Sequence, residues 1–85
     1  MTATQTVKAV CVWLDSTSEP SSDPVWIVSR DTIEIPEGRA LVSHTASTHE
    51  DEGEAMQAGR ALAQKLGLPL YRNPEDGPAV LVAAA

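Results

Sequence analysis

The stretch from Ser47 to Leu70, STHEDEGEAMQAGRALAQKLGLPL, constrains this chain most, because it spells a helix start, a buried face and a helix stop in order. Ser47 and Thr48 are N-cap candidates, with Glu50 and Asp51 three residues further on in capping-box spacing. The acids Glu50, Asp51, Glu52 and Glu54 fill the first turns, and Arg60 and Lys65 lie toward the other end, an order that complements the helix dipole. Gly67 is placed to end the helix in the left-handed conformation, and Pro69 prevents its continuation. Projected at about 100° per residue, Ala55, Gly59, Leu62 and Leu66 form one stripe flanked by Ala58 and Ala63. Ala and Gly in the first half of that stripe let the backbone come close to what it covers, for which a sheet is the expected partner.

Strands are expected on both sides of this helix. VKAVCVWL, Val7 to Leu14, is apolar on both faces and predicts a central strand, or one with a second copy on its far face. The Ser, Pro and acidic residues from Asp15 to Pro24 predict a flexible loop too long for a tight hairpin. VWIVSR is a second strand, TIEI a short third, PEG a turn, and RALVSHTA, Arg39 to Ala46, a returning strand. Beyond the helix, LPLYR predicts a strand whose Pro69 places it at an edge or at its own beginning, and AVLVAAA supplies the closing strand. The expected architecture is a single α+β domain over residues 1–85, of order ββββαββ, with one amphipathic helix on one face of a mostly antiparallel sheet.

Trp26-Ile27-Val28 in the second strand, a polar hairpin and then EAMQAGRALAQKLGLPLYRNPEDG resemble small uncharacterised bacterial and phage domains. Those domains share a W-x-V strand, an AxxxGRxLA helix and a D-G turn. The resemblance spans Val25 to Gly77 and implies no catalytic residues.

Charge and motif content narrow the function. Twelve acids against six bases give a formal charge of −6, which disfavours direct binding of nucleic acid through its phosphates. The bases Lys8, Arg30, Arg39, Arg60, Lys65 and Arg72 are dispersed along the chain, without a run that would track a backbone or an anionic membrane. A double-stranded RNA module also lays a helix on a sheet, but this helix opens with HEDEGE where Lys and Arg would be needed. A lone cysteine, Cys11, in an apolar segment predicts an ordinary buried thiol and a reducing cytoplasm. No apolar run is long enough to cross a bilayer, and the N-terminus lacks the pattern of a signal peptide.

Catalytic, cofactor and metal sites are not expected. His49-Glu50 begins like a zinc-protease helix, but Gly53 stands where the second histidine is required. His44, His49 and Glu52 lack a Cys pair or a third His to complete a zinc site. Ser43 and His44 are strand neighbours that point to opposite faces, and Gly53 and Gly59 do not form a phosphate-binding loop. What remains is a soluble, non-enzymatic, cytoplasmic domain that acts by protein contact as a homodimer. Glu50, Asp51, Glu52 and Glu54, with Trp13 and Trp26, are its candidate protein-binding residues. The alternative is an acidic phage-type inhibitor or nucleic-acid mimic that covers a basic surface of a host protein, and a small enzyme or metal protein is a third class.

Overall fold

The computed structural model describes residues 5–15, 25–35, 39–73 and 79–85. Three strands come first: β1 (Gln5–Asp15), β2 (Val25–Ile35) and β3 (Arg39–His49). The helix α1 (Glu52–Leu66) follows, and β4 (Leu70–Asn73) and β5 (Val80–Ala83) complete a sheet of order β3-β2-β1-β4-β5. The α+β architecture with one helix on one face of a mostly antiparallel sheet is the expected one. Its order is βββαββ, because VWIVSR and TIEI are one strand. β1 pairs antiparallel with β2 along its whole length, from Gln5↔Ile35 to Asp15↔Val25, so the ladder carries β2 without a break past Arg30.

β1 is central, as its two apolar faces predict. On its other side it pairs parallel with β4, from Val10↔Leu70 to Trp13↔Asn73. A parallel return requires a crossover, and α1 provides it by passing from the β3 edge over the sheet to β4. Pro69 stands just before β4, where its missing N–H costs no ladder bond, and its carbonyl accepts from the Val10 N–H at 2.9 Å. β4 is therefore an interior strand, with Pro69 at its beginning and β5 at the outer edge. The loop expected over 15–24 and the PEG turn lie outside the described residues, apart from Asp15 at the end of β1.

The helix begins later than its capping box suggests. Ser47 and Thr48 are still strand residues, opposite Val28 and Ile27 of β2, and Asp51 is the N-cap. Asp51 has extended backbone and its carboxylate accepts from the Glu54 N–H at 3.1 Å. His49 closes β3, where its Nε2 lies 2.8 Å from Ser47 Oγ, and His44 sits within β3. At the other end Gly67 adopts φ 69° and ψ 33°, and the Gly67 and Leu68 N–H groups bond the Gln64 and Ala63 carbonyls. The stop signal works as its residues predict.

Val10, Val12, Val28 and Leu70 are fully buried on the helix side of the sheet, together with Ala55 and Ala63 of α1. The buried helix stripe is Ala55, Gly59 and Ala63. Leu62 is only half-buried and Leu66 is 38% exposed, which corrects the expected stripe through Leu62 and Leu66. The reason is distance. A Cβ on Gly59 would lie 2.9 Å from Val12 Cγ2 and 3.1 Å from Leu70 Cδ1, so the line of closest approach admits only small residues. Larger ones fall to its flanks.

The opposite face holds a second apolar group, Ala9, Cys11 and Ile33, packed by Trp13, Ile35 and Tyr71. Full burial of a Val or Leu side chain contributes about 1.5–3 kcal/mol. Few large side chains are fully buried here, so the close seating of α1 carries weight. Gly59→Leu should cost about 1–3 kcal/mol through overpacking against Val12 and Leu70, although leucine is the better helix former. Thermal unfolding checks this, and an unchanged or higher midpoint would contradict the packing.

Candidate functional site

The four acids at the start of α1 do not form a uniform charged patch. Asp51 is occupied as the helix cap. Glu52 Oε1 accepts from Arg72 Nε at 2.9 Å, and the Arg72 guanidinium lies 5.8 Å from the centre of the Trp26 ring. Trp26, Arg72 and Glu52 thus make one stack that fixes the helix start over β2 and β4. Glu50 and Glu54 are exposed.

Both tryptophans are partly buried. Trp26 packs against the helix-side core, and Trp13 packs on the opposite face, where its Nε1 donates to Ser29 Oγ at 3.0 Å. Each has its polar or π face engaged within the fold.

Cys11 is fully buried opposite Ser29. Its thiol pKa is pushed far up, first by burial, then by the negative charge of Asp31 and by the hydrogen bond between the two side chains. A thiol held protonated in this way is a poor nucleophile. Asp31 is itself only 4% exposed, and its Oδ1 has no hydrogen-bond partner among the described residues.

Strand register brings together residues that are far apart in sequence. Lys8 lies opposite Thr32, Arg30 lies between Val10 and His44, and Thr32 lies opposite Val42. Alternation puts Lys8, Arg30, Thr32, Val42 and His44 on the helix side of the sheet, in phase with Val10, Val12 and Val28. They occupy the part of that face that α1 leaves uncovered. With Leu66 and Leu68 at the end of the helix they line a groove of about 380 Å3. A second hollow of about 250 Å3 shares Arg30, His44 and Leu66 and adds Lys65.

Part of the basic charge is therefore brought together in space. Lys8, Arg30 and Lys65, half of the six Lys and Arg, gather with His44 at the C-terminal end of α1, opposite to the acidic end. Among the described residues Lys8, Arg30 and His44 have no ion-pair or hydrogen-bond partner. The sequence does carry one signal of this groove: Lys8 and Arg30 are charged residues at strand positions in phase with the core.

The outer strand β3 is the other notable surface. It has eleven residues, almost all exposed, and no described strand pairs with its free side. Leu41 and Val42 are 48% and 52% exposed. Its register with β2 skips Leu41 and Ala46, leaving Val42 to Thr45 as a regular run. Among the described residues no helix is long and apolar enough to cross a membrane.

The Cys11 environment has a measurable consequence. A thiol pKa raised above its ordinary 9.0 favours the folded state fully below pH 9, and this contribution is lost as pH rises above it. Stability should fall above pH 9 by up to about 1.4 kcal/mol per pH unit, and Cys11→Ala should remove that component. Urea titrations between pH 8 and 10 on both proteins measure it, and equal slopes would show that the thiol ionises without penalty.

No protein-family profile, curated protein or solved structure matches this chain.

Proposed function

We propose that this chain is a non-enzymatic protein-interaction domain that associates with a second copy of itself through β3. The observation that carries this reading is the unguarded edge. Residues 40–48 include no Asp, Glu, Lys, Arg or Pro, the residue types that ordinarily keep an edge strand from pairing. Two irregularities shorten the regular edge to Val42–Thr45, but its backbone groups face outward beside the exposed Leu41 and Val42. Antiparallel pairing of β3 with its symmetry copy would continue the sheet and bury those side chains, and a twofold axis closes the assembly at two chains. The small core gives added burial real weight in the stability of the fold.

An acidic-mimic role rests on Glu50, Asp51, Glu52 and Glu54, and it loses support from the engagement of Asp51 and Glu52 within the fold. Sedimentation at micromolar concentration tests the preferred reading. The expected species has twice the 9.0 kDa of the chain. Leu41→Lys with Ser43→Lys should weaken association at least roughly tenfold, about 1.4 kcal/mol, while the isolated chain keeps its circular dichroism spectrum. A 9.0 kDa species that persists on concentration would overturn self-association.

A further inference from the structure

We propose that the groove floored by Lys8, Arg30, Thr32 and His44 binds a small phosphomonoester that carries an apolar group. The groove is complete within one chain, and although Val42 and His44 belong to β3, its cations Lys8 and Arg30 lie on β1 and β2, away from the edge proposed above to pair. Three observations converge on it: unpaired like charges, a hollow of ligand size, and a lining that is cationic on one side and apolar on the other.

Lys8 is flanked on β2 by Arg30 on one diagonal and Glu34 on the other; Glu34 closes no ion pair with it, and the like charge of Arg30 repels it. Acids outnumber bases two to one in this chain, yet among the described residues no carboxylate pairs with either cation. Asp31 borders the groove, but its carboxylate is engaged with Cys11, which register places on the opposite face. The C-terminus of α1 offers a partial negative charge of about one half, too little to balance two full positive charges. A bound anion supplies the missing charge.

The lining selects among anions. A carboxylate would neutralise one cation, whereas a phosphomonoester carries about −1.5 to −2 near pH 7 and three acceptor oxygens. Those oxygens suit the forked guanidinium of Arg30 and the ammonium of Lys8, with the Thr32 hydroxyl and the His44 ring as further donors. Val42, Leu66 and Leu68 supply the apolar side of the same groove. Its volume of about 380 Å3 lies within the range of small-molecule sites, roughly 300–1,000 Å3. The overall charge of −6 opposes a long polyanion and leaves a short one that fits inside the groove as the better match.

Calorimetric titration of the full chain at low salt tests this, with phenyl phosphate as the probe, inorganic phosphate as the bare anion and phenol as the uncharged body. Lys8 and Arg30 are exposed, so Lys8→Gln and Arg30→Gln should fold normally, with melting points equal to or above the parent because a repulsion is removed. Phenyl phosphate should bind saturably, more tightly than inorganic phosphate, and phenol should not bind. Each variant should lose roughly tenfold or more in affinity. The proposal is overturned by the absence of saturable binding up to roughly millimolar ligand. Equal affinity for inorganic phosphate would overturn it as well, as would binding that survives Arg30→Gln in a folded protein. Capture of an acidic peptide or an oligonucleotide through these residues, without phenyl phosphate binding, would replace it with a macromolecular site.

Discussion

The close approach of α1 to the sheet at Gly59 is the constraint on which the rest of this structure depends. Val12 and Leu70 stand so near the helix axis that a single added carbon would be under pressure from both. This proximity allows a chain without phenylalanine to exclude water from Val10, Val12, Val28 and Leu70. It also fixes where the helix does not reach. Beyond Ala63 the helix passes off the buried floor, Leu66 becomes exposed, and the sheet residues Lys8, Thr32, Val42 and His44 are left as the floor of a groove.

The same crossover polarises the molecule. Acids gather at the start of α1 and bases at its end, so the helix separates two ends of opposite charge across one face of the sheet. At the acidic end two of the four charges are used: Asp51 caps, and Glu52 holds Arg72 over Trp26. At the basic end no such compensation occurs among the described residues. Charges that satisfy one another serve mainly the fold, whereas Lys8 and Arg30 remain exposed to solvent.

Local chemistry made the helix and its stop legible in the sequence, because Gly67 and Pro69 act through their own backbones. The start lies later than local chemistry predicts, for a tertiary reason. Ser47 and Thr48 are good caps, but β2 continues far enough to hold them as strand partners of Val28 and Ile27, and the cap passes to Asp51. Helical phase alone puts Leu66 in the buried stripe, but the drift of the helix off the sheet decides its exposure. Trp13 and Trp26 proved partly buried. The basic groove was hidden because Lys8, Arg30 and His44 become neighbours only through register, which composition along the chain does not reveal.

The parallel pairing of β1 with β4 has a consequence for how the domain assembles. β1, β2 and β3 are joined as successive neighbours, and their ladders can form from contacts of modest sequence separation. Val10 meets Leu70 only after the whole meander and the crossover helix have been placed between them. The entropy of closing that loop must be met before the Val12, Gly59 and Leu70 contacts can return any stability. Topology therefore separates the local β1–β2–β3 ladders from the long-range pairing of β1 with β4, and a chain in which α1 and β4 are undocked leaves one long side of β1 open for pairing with another chain.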